Sequence, residues 1–281
     1  MKKNNKTIAN ILLQLEDVDI SKYDDSFLEN ALKKRMTESH CNSEMVYYDY
    51  LQQSHIEAQE YIRSLSVCYS EFFRNSLTFA VLERIVLPGI IFSKKKNNQH
   101  EVRIWSAACA AGQETYSIAM LLNEFANNNE IKFRIFATDQ SEEQIEYAQK
   151  GVYKFSELSY LSVNRLTNWF TKEGDSYSVK PELKEQIEFS TFDLFNKDLS
   201  SPPTSIFGDF DLIFCANLLF YYKPEFQEEI LKKIKNNLSK DGLLVTGETE
   251  REIVMQHHFK EVYPSSAIFK IPSGSLKWSD G

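Results

Sequence analysis

Short apolar runs rich in β-branched and aromatic residues alternate with amphipathic stretches through the last two thirds of the chain. This alternation is typical of a parallel sheet, because each parallel connection has to cross the sheet and usually does so as a helix. We therefore predict an α/β fold with a doubly wound, mostly parallel sheet. The predicted strands are 102–109, 133–138, 187–192, 210–215, 243–246 and 267–271.

The segments between these strands carry helix start and stop signals. Ser141 and Gln144 have the spacing of a capping box, and Gly151 is the residue type that ends a helix in a left-handed conformation. Pro224 is suited to the first position of another helix, since its missing N–H has no partner there anyway. Helices are therefore predicted from 141 to 150 and from 224 onward.

The first hundred residues have a different pattern. Leu28, Leu32 and Met36 recur every four residues behind the cap signal Asp25-Ser26, which indicates an amphipathic helix. A polar stretch at 93–100 separates this region from the alternating one. We predict an all-α domain over residues 1–92 and an α/β domain over 93–281, interrupted at about 152–185 by a small inserted subdomain.

Net charge argues against one class of function. The 281 residues include 32 basic and 40 acidic side chains, a formal charge of -8. Binding to nucleic acid in general needs an excess of Lys and Arg, so we expect no nucleic-acid partner. Residues 1–100 contain 13 basic and 13 acidic side chains, and the acidic excess therefore lies in the α/β part.

Cysteine usage and hydropathy favour the cytoplasm. The four cysteines form no C-x-x-C pair and have no zinc-finger spacing, so we predict reduced thiols and no metal site. The amino terminus lacks the pattern of a signal peptide. The most apolar region, 79–92, contains Glu83 and Arg84 and is expected to be too short to cross a bilayer.

The first and second strands end in residues suited to a nucleotide. Small residues follow the first strand from Ser106 to Gly112, where the backbone can approach a ligand closely; a tight packing turn without a ligand is an equally open interpretation. Asp139 follows the second strand, and its carboxylate can accept both hydroxyls of a ribose. The alternative for Asp139 is a helix cap, but Ser141 already supplies one.

The fourth strand ends in Asn217, followed by Tyr221 and Tyr222. The carboxyl edge of an open α/β sheet is where ligands bind, so these side chains are candidates for the same site. For the two tyrosines, the alternative is aromatic packing with a satisfied hydroxyl.

Four motifs occur in an order that resembles a known family. They are Phe72-Phe73-Arg74-Asn75, the stretch from Ile104 to Ser117, Ala137-Thr138-Asp139, and the stretch from Phe210 to Asn217. The chain resembles the chemotaxis receptor methyltransferases, the CheR-type enzymes that move a methyl group from S-adenosylmethionine to receptor glutamates. The resemblance runs from about Ile8 to the end. It implies a Rossmann-like class I methyltransferase fold in which the insertion is a small β subdomain.

The same resemblance implies a role for particular residues. Glu114 and Asp139 would hold polar groups of the cofactor, with Asp139 on the ribose. Asp193-Leu194 would lie beside the adenine, where the family more often has Asn-Leu. Arg74 and Tyr221 match the residues near the transferring methyl and the incoming glutamate. The expected cofactor contacts are Cys68, Ser70, Arg74, Ala107, Glu114, Asp139, Asp193, Leu194, Ala216 and Asn217.

Ala216 is the largest departure from the family pattern, which has Cys-Arg-Asn at this point. Losing a charge-assisted hydrogen bond typically costs about 1.5–3 kcal/mol, or one to two orders of magnitude in binding or rate. A cofactor-binding regulatory or scaffold protein with impaired turnover is therefore a second hypothesis. A methyltransferase for a different acceptor is a third.

The resemblance also implies the partners. The cytoplasmic domain of chemoreceptors would be the substrate, met in part through Lys33, Lys34 and Arg35; by default such a run is a solvated helix surface. In some members the β subdomain docks a receptor tail. The loop at 172–175 looks short for this, which favours tail-independent recognition. We expect a cytoplasmic monomer that needs no metal and releases S-adenosylhomocysteine.

Overall fold

The computed structural model describes residues 3–65, 70–126, 131–205 and 207–272. It divides into two compact units. One comprises Met1–Val67 with Leu219–Gln227, and the other comprises Cys68–Leu218 with Glu228–Gly281. The domain boundary expected near residue 92 stays a prediction.

Four helices form most of the first unit: α1 (Lys3–Glu16), α2 (Asp25–Glu38), α3 (Glu44–Gln53) and α4 (His55–Ser64). The cap of α2 is Asp24, one residue earlier than predicted, and its side chain accepts the Ser26 N–H. Leu28 and Leu32 are buried, and Met36 is half-buried. The predicted amphipathic helix is therefore confirmed.

Arg35 does not belong to the exposed basic face expected on α2. Its guanidinium donates to both carboxylate oxygens of Glu57, at 2.9 and 2.6 Å. Glu57 is 3% exposed and also accepts from the Tyr47 hydroxyl at 2.7 Å. A buried carboxylate needs a paired cation, and Arg35 serves that purpose. Lys33 and Lys34 are exposed, so the basic face has two members instead of three.

Residues Leu219–Gln227 complete the helical unit. The ring of Tyr222 stacks on Tyr23 with centroids 5.2 Å apart. The ring of Tyr221 packs against Phe27 on α2, at a centroid distance of 4.8 Å. Both tyrosine rings therefore pack against aromatic side chains within the helical unit.

A seven-stranded sheet forms the centre of the second unit, in the order β6-β2-β1-β7-β8-β10-β9. The neighbours from β6 to β8 are parallel, whereas β10 is antiparallel to both β8 and β9. The predicted fold class and all six predicted strands are confirmed. The strands are β1 (Glu101–Ala107), β2 (Lys132–Asp139), β6 (Ile187–Thr191), β7 (Phe210–Phe214), β8 (Leu238–Val245), β9 (Lys260–Glu261) and β10 (Ile268–Lys270).

Helices join the parallel strands as the sequence predicts. In α8, the side chain of Ser141 accepts the Gln144 N–H, and Gly151 ends the helix with a φ of 59°. Pro224 is the first residue of α11. The helices of this group are α7 (Gln113–Ala126), α8 (Glu142–Lys150), α11 (Pro224–Asn237) and α12 (Arg251–Gln256).

The insertion forms a separate antiparallel sheet in the order β3-β5-β4. This confirms the expected small β subdomain. Its strands are β3 (Val152–Lys154), β4 (Phe170–Glu173) and β5 (Ser176–Val179), and its helices are α9 (Val163–Trp169) and α10 (Pro181–Lys184).

The most apolar segment is longer than the sequence suggests. Helix α5 (Ser76–Val81), a π-helical turn (Leu82–Val86) and α6 (Leu87–Lys96) form one continuous helix of 21 residues, and an 18-residue window in it has a mean hydropathy of 1.6. Within the described ranges, it is the one helix that is long and apolar enough to span a membrane by length and composition alone, so the helix extends beyond the apolar region 79–92 at both ends. Apolar residues of this helix pack in the same hydrophobic core as residues of β1 and β2. The core helices of soluble proteins can have the same length and hydropathy, so these two properties alone do not identify a membrane span.

Candidate functional site

A strained turn of small residues follows β1. Ala108 and Ala110 have φ values of 60° and 46°, and Gly112 has 89°. Alanine rarely adopts a positive φ, and such strain persists where surrounding contacts hold it. The Ala110 N–H donates to Oδ2 of Asp139 at 2.9 Å, which is one such contact. The turn lies where the sequence places a nucleotide site.

Gly112 itself has a packing role. A Cβ at this position would lie 2.9 Å from the Cβ of Ala148 on α8, closer than two carbons can approach. The packing interpretation of this loop is therefore correct for its glycine. The backbone of the two strained alanines is still available to approach a ligand, as the other interpretation requires.

Asp139 is the last residue of β2 and links two turns. Its Oδ1 accepts the Ser141 N–H and its Oδ2 accepts the Ala110 N–H, both at 2.9 Å. Burial raises the pKa of Asp139, while its backbone hydrogen bonds act in the opposite direction. Each carboxylate oxygen can accept a second hydrogen bond, so two acceptor positions remain for a ligand.

Asp193 and Leu194 follow β6 beside Asp139. The Phe192 N–H donates to the carbonyl of Asp139 at 2.9 Å, which fixes the two strand ends together. Oδ1 of Asp193 accepts the Phe195 N–H at 2.9 Å, and Leu194 is buried. The structure therefore brings together these three predicted site residues.

Glu114 lies in the first turn of α7 and points back toward β1. Its Oε1 accepts from the hydroxyl of Ser106 at 2.8 Å. Burial raises the pKa of Glu114 to about 7; the Ser106 hydrogen bond and the charge of Arg74 lower it, and the carboxylate of Glu250 raises it further. A buried carboxyl poised near neutrality is typical of a functional site and is suited to a cationic ligand.

Backbone strain also brackets Arg74. Phe73 and Asn75 have φ values of 50° and 64°, and for a bulky aromatic residue such a value is a genuine outlier. The Phe73 N–H donates to the Ser117 hydroxyl at 3.0 Å, which holds the strained residue on α7. The charge of Arg74 lowers the pKa of Glu114, so the two side chains interact electrostatically.

The end of β7 is held by a residue that the sequence analysis missed. Glu250 is fully buried, and its carboxylate accepts the N–H groups of Asn217 and Leu218, each at 2.7 Å. Asn217 has a φ of 61° and is half-buried, as is Ala216 beside it. Glu250 follows the end of β8, which lies at the ligand edge of the sheet. An acidic residue at that position could have marked it as a candidate site residue.

The other predicted residues are distributed as follows. Ala107 is the fully buried last residue of β1. Ser70 lines a cavity of about 440 Å³ together with Gln113 and Tyr147. Cys68 lies outside the described residues. Tyr221 belongs to the helical unit, so it is not grouped with the residues of the sheet unit.

Two thiols near the site are not nucleophiles. Burial raises the pKa values of Cys109 and Cys215 well above the usual thiol range, and nearby carboxylates add to the rise. Neutral thiols react slowly, since the thiolate is the reactive form. Among the residues that the structure describes, no three His, Cys, Asp or Glu side chains are grouped to hold a metal.

Comparison with known proteins identifies the family. A family model described as the CheR methyltransferase, SAM binding domain, matches residues 69–268. The chain belongs to the CheR methyltransferase family. The resemblance stated from the sequence is confirmed, and the matched region is an S-adenosylmethionine-binding methyltransferase domain.

Several curated relatives of this CheR family member are named chemotaxis protein methyltransferases. Chemotaxis protein methyltransferase 1 of Pseudomonas aeruginosa is 34% identical over 203 residues, which cover 70% of this chain and 71% of that protein. The Salmonella typhimurium chemotaxis protein methyltransferase is 29% identical and covers 87% of this chain and 82% of its own. The Escherichia coli protein is 31% identical, with coverage of 72% and 68%.

The residues of the CheR site fit S-adenosylmethionine, which carries a sulfonium and an ammonium group. Glu114 is a buried carboxyl beside a strained backbone turn, and Asp139 keeps two acceptor positions at the neighbouring strand end. Negative charge and paired acceptors are the chemistry that a cationic nucleoside requires.

Cofactor affinity should depend on pH through Glu114. Only its ionised form attracts a cation, so with a pKa of about 7 we expect affinity for S-adenosylmethionine to fall roughly tenfold per pH unit below neutrality. Above neutral pH, Glu114 is mostly ionised, so the affinity for the cofactor should stop rising. Calorimetric titrations from about pH 5.5 to pH 7.5 measure this.

The Glu114→Gln variant is the control for that titration. It keeps the shape of the side chain and removes its proton equilibrium, while the ligand's own titration stays the same. Its affinity should be lower and nearly independent of pH over this range. An equal pH dependence in both proteins would contradict the role of Glu114.

Proposed function

We propose that this protein is a protein-glutamate O-methyltransferase. It transfers a methyl group from S-adenosylmethionine to glutamate side chains in the cytoplasmic domain of chemoreceptors and releases S-adenosylhomocysteine. The observation that carries the proposal is the grouping of Arg74, Glu114 and Asp139 in a CheR-family domain. The names of its relatives, chemotaxis protein methyltransferases, support an acceptor in the chemotaxis system.

The cofactor is held by residues at three strand ends. Asp139 accepts the ribose hydroxyls with the two acceptor positions that its backbone hydrogen bonds leave open. Asp193 and Leu194 border the adenine, and Glu114 attracts the cationic end of the cofactor. The remaining contacts are Cys68, Ser70, Ala107, Ala216 and Asn217.

The bound cofactor supplies an electrophilic methyl group on a sulfonium. Held by Glu114, Asp139 and Asp193, the cofactor would supply this methyl to a carboxylate oxygen of the acceptor glutamate, and sulfur would keep the electron pair of the broken carbon–sulfur bond. No proton moves, because a glutamate is already ionised at neutral pH and needs no general base. The task of the protein is therefore positioning, and effective-molarity data put that contribution at up to roughly 7–11 kcal/mol.

Arg74 and Tyr221 act on the acceptor. A guanidinium presents two N–H groups in a fork that matches a carboxylate, so Arg74 can orient the attacking oxygen. The hydroxyl of Tyr221 is proposed as a further donor to the acceptor. A carboxylate that is removed from water without hydrogen-bond partners is strongly destabilised, so the buried acceptor needs these donors.

Lys33 and Lys34 on α2 are the exposed cations proposed to meet the acidic methylation helices of the receptor. The hairpin between β4 and β5 turns tightly at Gly174, which has a φ of 62°, and this short turn supports recognition without a receptor tail. The protein acts as a monomer in the cytoplasm.

Ala216 favours a second candidate function. The position that carries arginine in the family pattern has only a methyl side chain, and it lies beside Asn217 at the ligand edge. A protein that binds the cofactor without efficient turnover would act as a regulatory or scaffold protein of the same family.

One assay separates these two candidates. The purified protein is mixed with methyl-labelled S-adenosylmethionine and a receptor cytoplasmic domain, and label released as a volatile product by mild alkali is counted. Alkali-labile label supports the glutamate methyltransferase, because methyl esters hydrolyse under these conditions. Cofactor binding without such label supports the regulatory function, and alkali-stable label indicates a different acceptor group.

A further inference from the structure

We propose that Glu250 is a positioning residue of the cofactor site, whose carboxylate holds the Ala216–Leu218 turn in the conformation that presents Asn217. The inference rests on the proposed function, because it assumes that Asn217 contacts the cofactor. Neither the family pattern quoted above nor the predicted site includes Glu250.

Three backbone groups just past the ends of β7 and β8 donate hydrogen bonds to Glu250. Oε1 accepts from the Leu218 N–H at 2.7 Å, whereas Oε2 accepts from Asn217 at 2.7 Å and from Gly247 at 2.8 Å. Three backbone donors converge on one fully buried carboxylate. Hydrogen bonds to an ionised acceptor are the stronger kind, so they can fix a turn that would otherwise relax.

Asn217 needs such a restraint because its backbone is left-handed, with a φ of 61°. Asparagine tolerates this conformation but does not require it. The hydrogen bonds from Asn217 and Leu218 to Glu250 fix the two successive N–H groups on the same side of the chain. The side chain of Asn217 is thereby directed by a residue on another loop.

The surroundings of Gly247 give independent evidence for the same arrangement. A Cβ on Gly247 would lie 2.5 Å from Nδ2 of Asn217 and 2.9 Å from Oε2 of Glu250. Both distances are shorter than non-bonded atoms allow. The amide of Asn217 therefore lies directly against the glycine backbone, and the loops after β7 and β8 fit together at this point.

Glu250 also acts electrostatically on Glu114. The groups that face Glu114 are Arg74, which lowers its pKa, and Glu250, which raises it; the thiols of Cys109 and Cys215 are neutral. Removing the charge of Glu250 should therefore shift the titration of Glu114 to lower pH. A carboxylate that did not face the site would leave that titration unchanged.

The test compares Glu250→Gln with Glu248→Gln, a matched control two residues away that is exposed on the same loop. Glutamine keeps one acceptor oxygen and introduces an N–H₂ group that meets a backbone N–H, so the turn loses a hydrogen bond. We expect calorimetry on folded Glu250→Gln protein to show a cofactor Kd raised about tenfold, with the control unchanged.

A cofactor-free readout distinguishes failure of this inference from failure of the proposed function. Glutamate-selective ¹³C NMR follows the Glu114 titration, whose midpoint should fall in Glu250→Gln and stay in place in Glu248→Gln. Unchanged cofactor affinity together with an unchanged midpoint would overturn the proposal. If wild-type protein binds no cofactor, the proposed function fails, and an unchanged Glu114 midpoint would then overturn this inference as well.

If Glu250→Gln does not fold, Glu250→Asp is measured in its place. This variant retracts the carboxylate by one methylene and is also expected to bind the cofactor more weakly than the wild type.

Discussion

Replacing Asp139 by alanine should abolish measurable binding of S-adenosylmethionine. The carboxylate offers two acceptor positions to the cofactor, and each hydrogen bond to a charged group is worth about 1.5–3 kcal/mol. Their joint loss corresponds to at least a hundredfold weaker affinity, since about 1.4 kcal/mol is a factor of ten. The variant also loses the anchor of Ala110 and Ser141, which frees the strained turn after β1 to relax.

Two further variants make this result specific. Asp139→Asn keeps the size and one acceptor oxygen, so its affinity should lie between those of the wild type and Asp139→Ala. Asp175→Ala removes an exposed carboxylate in the hairpin between β4 and β5 and should bind the cofactor normally. Calorimetry with all three proteins measures this order. Unchanged affinity in Asp139→Ala would refute the assignment of the ribose site.

The position of Asp139 could be predicted because its surroundings are local in the sequence, whereas its role in binding a ribose stays a prediction. The apolar run of β2 ends at this residue, and Ser141 caps the following helix as expected. The six strands were predictable for the same reason, since a buried parallel strand is a short uninterrupted apolar run. Local pattern is sufficient wherever the fold follows local preferences.

Glu250 and Arg35 could not be predicted because their partners lie far away in the sequence. Glu250 accepts from Asn217, 33 residues earlier, and Arg35 pairs with Glu57, 22 residues later. Charged residues are predicted to be solvent-exposed, and only the tertiary structure shows which of them are buried against a partner. Backbone strain at Phe73 is similarly invisible, since nothing in an aromatic side chain favours a positive φ.

The second large effect is expected from Arg74→Ala, which should lower kcat by about one to two orders of magnitude, the value of one charge-assisted hydrogen bond. Cofactor affinity should change much less, because the proposed role of Arg74 is to orient the acceptor carboxylate. The variant also removes a positive charge that lowers the pKa of Glu114, so a modest loss of cofactor affinity near neutral pH is part of the expected result. Steady-state methylation of a receptor domain gives kcat, and calorimetry gives the affinity.

Arg74→Lys distinguishes geometry from charge. Lysine restores the positive charge near Glu114 but has a single ammonium in place of the planar fork. If orientation is the contribution, Arg74→Lys should recover cofactor affinity and leave kcat close to that of Arg74→Ala. Recovery of kcat by lysine would mean that charge alone suffices. The strained backbone at Phe73 and Asn75 favours the first outcome, because strain is retained where one exact side-chain direction is needed.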